Sequence, residues 1–402
     1  MLNVITLEEA KELLEENFGD WRPRTEMVPL SCAVGRVLAR PVEAKEFVPG
    51  FDRSTVDGYA LRAADTFGCG ESIPALLTLV GEVRMGEAPE FELQPGQCAY
   101  IPTGGCLPAG ANAVAMVEYA EDYGDGTVGI QSPCAPGAHL IFRGDDTAPG
   151  KEMLPAGKKL GAKEIGALAA AGVGSVSVFA QPRASVFSTG DELIPVEQVP
   201  APGQVRDVNG PMLSAALEEL GCRVCRRELL RDDPEKLRLA VARACGDSDM
   251  VFLSGGSSVG VQDAACQVLS ELGTVLFHGI AMKPGKPTLL ADVGGVPVFG
   301  LPGHPAAAWF LLYLLVRPWI YSVTEQMYEG KETVSVLDAS LPSNHGREEY
   351  VLVQLDDEWE RAVPLWNKSG LIMSLSHANG YVRIPRDTEG ISAGSKVSVT
   401  II

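Results

Sequence analysis

The sequence predicts a multidomain α/β plus β protein, and three observations carry that expectation. The chain is 402 residues long, more than one ordinary domain holds. Strand and helix patterns alternate over 181–322, the signature of a doubly wound parallel sheet. Short alternating strands separated by turn residues fill 59–132 and 330–402, which reads as two smaller β modules.

In chain order, Leu7 to Leu14 has a helical pattern, with Thr6 as its cap and Glu9 completing a capping box. Residues 26–46 look extended and lead into FVPGFDRSTVDGYALR, a loop punctuated by Pro49, Gly50 and Gly58 that concentrates Asp52, Arg53, Ser54, Thr55 and Asp57. Taken alone, that loop is an ordinary solvated turn. The β segment that follows contains Pro102-Thr103-Gly104-Gly105 at a strand end, and FRGDDTAPG then places Arg143, Asp145 and Asp146 in another loop. KEIGALAAAG reads as a helix stopped by Gly172. Because mixed structure brackets the β segment, it is expected to be an insertion. The predicted units are a split N-terminal domain (1–50 and 137–180), an inserted β domain (51–136), an α/β domain (181–328) and a C-terminal β-barrel-like domain (329–402).

Within 181–328 the predicted strands are ASVFS, CRVCRREL, MVFLS and TVLFHGI, joined by PTLLAD and VPVFG. A helix from Gly210 to Leu220 takes Asn209 as its cap and Gly221 as its stop, and another begins at Asp233-Pro234. Met250–Leu253 is a strand, 254–260 a glycine-rich loop, and the helical pattern resumes at Gln262. Such a loop turns backbone N–H groups and a helix N-terminus toward one point, which suits an anion, although a plain strand-to-helix connection reads the same way. Asp263 in the first turn makes sense beside an anion if Mg²⁺ lies between them. In open α/β sheets ligands bind beyond the carboxyl ends of the strands. This chain places Thr189-Gly190-Asp191-Glu192, Arg231-Asp232-Asp233, the glycine loop, Lys283-Pro284-Gly285-Lys286 and LPGHP there. Acids, lysines and a glycine loop at one rim match a Mg²⁺-assisted phosphate or oxyanion site.

Other classes fit less well. The net charge of −19, from 33 basic and 52 acidic residues, disfavours nucleic acid and anionic membranes as partners. The N-terminal segment lacks a signal-peptide pattern, and the apolar run Ala306 to Val316 is short for a membrane span. Nine scattered cysteines fit a reducing, cytoplasmic setting. Cys222 and Cys225 lie on one strand where residues three apart point to opposite faces, so a zinc site is not expected. No P-loop motif or G-x-G-x-x-G at the first strand is present. Gly256-Ser257-Ser258-Val259-Gly260 matches the serine-hydrolase elbow, with Asp292 and His304 downstream, but the helix is expected some four residues past Ser258, too far for an elbow.

Taken together, FDRSTVDGYA, PTGGCLPAGANAV, STGDEL, LRDDP, SGGSSVG with Asp263, KPGKP, LPGHPAA and KSGLIMSLSHANGYVRIP resemble, in order and over nearly the whole chain, the MoeA family of molybdopterin molybdenumtransferases, whose domain is shared with the gephyrin E region. The resemblance implies a MogA-like α/β domain and insertion of molybdate into adenylylated molybdopterin, with AMP released and Mg²⁺ or a similar ion required. It implies catalytic roles for Asp57, Thr103, Asp146, Glu192, Asp232 and Asp263, and a metal held by Asp191, Glu192 and Asp263. Ligand binding would fall to Thr189, Gly190, Asp191, Ser254, Gly255, Gly256, Ser258, Lys283, Lys286, Pro302, Pro305, Arg347 and Ser369. It further implies a homodimer whose sites are shared between subunits, with the molybdopterin adenylyltransferase as a possible partner. Two departures stand out: Ser257 replaces a usual valine, and Gly279 stands where some relatives carry a basic residue. A tungstate-inserting relative and a gephyrin-like scaffold are the alternative readings.

Overall fold

A computed structural model of the chain describes residues 4–255, 259–327, 330–365 and 372–402, without the side chains of 259–263. Its centre is a six-stranded sheet in the order Arg223–Leu230, Arg183–Thr189, Met250–Gly255, Val296–Leu301, Leu289–Val293, Thr274–His278. The first four strands run parallel. The expected all-parallel sheet is corrected at one edge, where Leu289–Val293 lies antiparallel to both neighbours. The cause is local: Gly294 and Gly295, with φ of 64° and 84°, form a tight hairpin turn that returns the chain beside itself.

Helices cover both faces of this sheet. Asn209–Glu219 and the long helix from Pro305 pack on one face around Phe252, Phe299 and Trp319, while Pro234–Asp247 and Val259–Leu272 cover the other. The ring planes of Phe252 and Phe299 stack at 5.1 Å between centroids. The helix Leu7–Phe18, capped by Thr6 and Glu9 as expected, packs here through Leu7, Ala10, Leu14 and Phe18 rather than with the strands that follow it. Trp319 Nε1 donates to the Phe18 carbonyl at 3.2 Å. The helical run Pro305–Val323 is longer than the apolar stretch suggested, and in length and composition it could cross a membrane. Two-thirds of it is buried in this core, which explains its all-round apolar character. It widens to a π-turn over Leu312–Val316 because Pro318 has no N–H to give the Leu314 carbonyl.

Two helix starts differ from expectation. Asn209 is inside its helix, and the capping acceptor is Asp207, whose Oδ1 takes the Gly210 N–H at 2.9 Å. The helix after the glycine loop begins at Val259, not Gln262.

The first half of the chain contains two further cores. Thr25–Pro29 pairs antiparallel with Ser175–Phe179 over a core of Val28, Leu38, Leu160, Leu168 and Val178, joining segments about 150 residues apart. Between them, Gly58–Leu61, Ala75–Glu82, Gln97–Ile101, Ala113–Met116, Ala120–Asp122 and Thr127–Ile130 form a second six-stranded sheet with apolar clusters on both faces. At the other end of the chain, Glu348–Leu355, Arg361–Pro364, Glu332–Leu337, Lys396–Ile401 and Gly380–Ile384 close into a five-stranded barrel, the last strand pairing back to the first. Met282–Lys283 of the central domain adds to this barrel in parallel, with Met282 opposite Glu348 and Lys283 opposite Glu349.

Candidate functional site

Register brings the rim together. Thr189 lies beside Leu230 on one side and Gly255 on the other, and Ser254 lies beside Leu301, so the loops that follow these strands emerge as neighbours. Gly255 is required by closeness: a Cβ there would lie 2.1 Å from the Thr189 carbonyl oxygen. Beneath the rim, Asn209 is 6% exposed, and its Nδ2 donates to Ser254 Oγ at 2.6 Å and to the Gly303 carbonyl at 2.9 Å. One amide thereby ties the glycine-loop strand to the LPGHP turn. Asn209 was readable only as a cap, since nothing in its local sequence marks a contact 94 residues away.

A cavity of ≈ 240 Å³ opens at the rim, lined by Thr189, Arg231, Asp232, Gly255 and Ala265 over an apolar floor of Leu253 and Leu289. Asp191 and Glu192 stand exposed beside it. The Arg231 guanidinium donates to the Asp191 carbonyl at 2.6 Å and approaches its carboxylate at 3.9 Å. Partial desolvation raises the Asp232 carboxyl above the ordinary range; the Asp191 N–H pulls it partway back, and the charges of Asp191 and Glu192 push it up again. Crowded carboxylates of this kind fit a divalent cation, which relieves their repulsion. Among the described residues no three His, Cys, Asp or Glu are already gathered at metal-binding geometry, and the Asp263 side chain lies outside them. Gly256, Ser257, Ser258 and Ser369 lie outside the described residues too.

A larger cavity of ≈ 900 Å³ separates the central domain from the barrel. Lys283, Lys286 and Pro302 line it from one side and Arg347 from the other. Pro305 is buried at the start of its helix and Ser254 is buried below the rim, so both shape the site from beneath. Glu349, which sequence reasoning missed, also lines the cavity; its Oε1 is 2.5 Å from Lys283 Nζ. Its only signal was adjacency to Arg347 and Glu348, two other charged residues at the start of a strand.

The remaining expected residues form a second group in the first half of the chain. Asp57 Oδ1 accepts from Thr103 N at 2.7 Å and Thr103 Oγ1 at 2.9 Å, and these bonds hold its carboxyl below the usual range. The loops carrying them are joined by backbone bonds, Gly104 N to Ser54 O at 2.8 Å and Ser54 N to Gly105 O at 3.1 Å. Asp52 Oδ1 accepts from Arg143 N at 2.7 Å, and Asp146 N donates to the Val48 carbonyl at 3.0 Å, which brings the third loop alongside. The Arg143 guanidinium stacks over Phe47 at 4.0 Å. Within one chain, no described hydrogen bond or ion pair links Asp57, Thr103 or Asp146 to the rim.

The hydrolase elbow is excluded on different grounds from those of spacing, because the helix starting at Val259 directly follows Ser258. Asp292 sits by the Gly294-Gly295 hairpin, where its Oδ1 accepts from Gly295 N at 2.7 Å, at the opposite end of the sheet from His304. A triad cannot assemble across the length of a strand. Cys222 is buried, with its thiol pushed up to about 12 by burial, and Cys225 is exposed, so the C-x-x-C does not face one ligand.

Three family models match in succession: the MoeA N-terminal region (domain I and II) over 5–172, a probable molybdopterin binding domain over 185–322, and the MoeA C-terminal region (domain IV) over 335–402. The molybdopterin molybdenumtransferase of Nostoc sp. is 34% identical over 392 residues, covering 94% of this chain and 89% of that protein. The molybdopterin molybdenumtransferase of Bacillus subtilis is 32% identical over 387 residues, covering 94% and 90%. A crystal structure of a molybdopterin biosynthesis MoeA protein from Pyrococcus horikoshii superposes with a TM-score of 0.83 at 37% identity, covering 99% of both chains.

Proposed function

This chain belongs to the MoeA family, and from that premise we propose that it is the molybdenumtransferase that inserts molybdate into adenylylated molybdopterin, releasing AMP. It is an enzyme of molybdenum cofactor biosynthesis, as its full-length relatives are named. The observation that carries the finer reading is the large cleft. In a protein of net charge −19, Lys283, Lys286 and Arg347 converge on one cavity, next to a rim of carboxylates and backbone amides. A cationic pocket in an acidic protein is what a small oxyanion and a phosphorylated pterin require.

In this reading the three cations hold the oxyanion and the pterin phosphate, and the cavity at Thr189, Asp232 and Gly255 receives the nucleotide. Water adds to one phosphorus of the anhydride, the bridging oxygen leaves with the other phosphate, and AMP departs. Asp191, Glu192 and Asp263 would hold Mg²⁺, which when bound withdraws charge from the phosphate. Arg231 holds the Asp191 loop in place, and Asp232 is poised to accept a proton from the attacking water. Asp57, Thr103 and Asp146 act from a second subunit, whose first half faces this rim in a two-fold dimer. That arrangement accounts for a prearranged acidic group with no partner among the described rim residues of its own chain. The enzyme would work in the cytoplasm and receive its substrate from the adenylyltransferase.

The test is AMP release from adenylylated molybdopterin by wild type and Asp57→Ala, with molybdate or tungstate and with or without Mg²⁺. Wild type should release AMP only with oxyanion and Mg²⁺, and Asp57→Ala should lose at least about a hundredfold. Equal rates in both proteins would refute the site, and the preferred oxyanion identifies the metal.

A further inference from the structure

We propose that Glu349 is a specificity-determining residue that keeps free inorganic dianions out of the interdomain cleft; the inference rests on reading that cleft as an oxyanion site. Among the described residues the cavity is lined by three cations, Lys283, Lys286 and Arg347, and one carboxylate, Glu349, whose side chain is only 11% exposed. It is fixed at both oxygens: Ser343 Oγ donates to Oε2 at 3.0 Å, and Lys283 Nζ lies 2.5 Å from Oε1. Backbone register places the pair. Lys283 and Glu349 are directly opposite in a parallel bridge between the two domains, supported by Glu348 N donating to the Ala281 carbonyl at 3.0 Å. The contact is therefore built by the docking of the barrel on the central sheet, not by one flexible side chain finding another.

A buried carboxylate is out of place in a pocket made only to attract anions. Its charge opposes every dianion about equally, and any anion that reaches Lys283 must draw the ammonium away from Glu349. Sulfate, phosphate and free molybdate differ little in this respect. A ligand held elsewhere at the same time, such as an oxyanion meeting a pterin whose nucleotide is anchored at the rim, overcomes the opposition through its additional contacts. Discrimination then comes from repulsion applied to all and compensated only for the correct assembly.

The experiment is calorimetric titration of the full-length protein with molybdate, sulfate and phosphate, using wild type, Glu349→Gln, Glu349→Asp and Lys286→Ala. Glu349→Gln should bind all three anions about tenfold or more tightly than wild type, and sulfate should become an inhibitor of AMP release. Glu349→Asp keeps the charge and should stay within about threefold of wild type, which separates charge from packing. Unchanged or weaker anion binding by Glu349→Gln, with binding still lost in Lys286→Ala, would overturn this inference and leave the oxyanion cleft standing. Binding unaffected by Lys286→Ala and by Glu349→Gln would overturn the reading of the cleft itself.

Discussion

The two halves of the candidate site are built in opposite ways. The group around Asp57, Thr103 and Asp146 is made by three loops whose backbones bond to one another, with Asp57 held by two bonds from one residue. The cleft around Lys283, Lys286 and Arg347 is made by docking two domains, and its charges of opposite sign face a cavity of ≈ 900 Å³. A carboxylate already satisfied by hydrogen bonds cannot reorganise to meet a ligand, so it must be delivered in place. Lysines on flexible stems can adjust, so the second half tolerates looser construction. The difference teaches that the first half supplies fixed geometry and the second supplies charge.

The strongest way to break this comparison is to separate the halves genetically. In the proposed homodimer, Asp57→Ala and Lys286→Ala should each be inactive when expressed alone. Coexpressed, about half of the dimers are mixed and each has one intact site of two, so activity should return to about a quarter of wild type. Steady-state AMP release from the copurified mixture checks this, and no recovery would place both halves of a site in one chain. A smaller effect sharpens the claim of fixed geometry. Asp52→Ala removes the acceptor that joins the Asp57 loop to the Asp146 loop and should lower kcat about tenfold. Asp52→Asn retains an oxygen at that position and should restore most of the loss, with little change in KM in either variant.

The same contrast governs what could be read from the sequence. The rim was legible because each loop follows a strand end and carries its own signal: glycines after Met250–Leu253, Asp233-Pro234 opening a helix, Pro284 and Gly285 between lysines. Their convergence follows from the parallel sheet, which the alternation of strand and helix already implied. The Asp57–Thr103 bond was not legible from spacing, since residues 46 apart meet through loop pairing that leaves no periodic trace. Nor was the Lys283–Glu349 contact, because a two-residue bridge between domains is too short to show a pattern. The antiparallel strand Leu289–Val293 did have a signal in Gly294-Gly295, but two largely buried apolar strands look alike in either direction, and only the turn distinguishes them. Asn209 illustrates the reverse error: a residue type that suits a helix cap was given that role, while its amide serves two distant loops.

The smallest expected effect concerns charge at the rim without a substrate. The Asp232 carboxyl is raised in the folded protein by desolvation first and then by Asp191 and Glu192, so folding tightens its hold on a proton. A group shifted upward adds stability below its unfolded value, and that contribution is lost as pH rises through the folded value. At neutral pH, ionised Asp232 is therefore a mild liability, screened by solvent because the residue is exposed. Asp232→Asn should be more stable than wild type by only a few tenths of a kcal/mol at pH 7, and the gain should vanish at a pH well below the ordinary carboxylate range, where Asp232 is protonated in the folded and the unfolded chain alike. Thermal melting at both pH values measures it. Excess Mg²⁺ should narrow the gap at pH 7, because a cation held by Asp191 and Glu192 cancels the repulsion that adds to desolvation in raising Asp232. A gap that Mg²⁺ leaves unchanged would place the metal elsewhere and leave the positive charge to Lys283, Lys286 and Arg347.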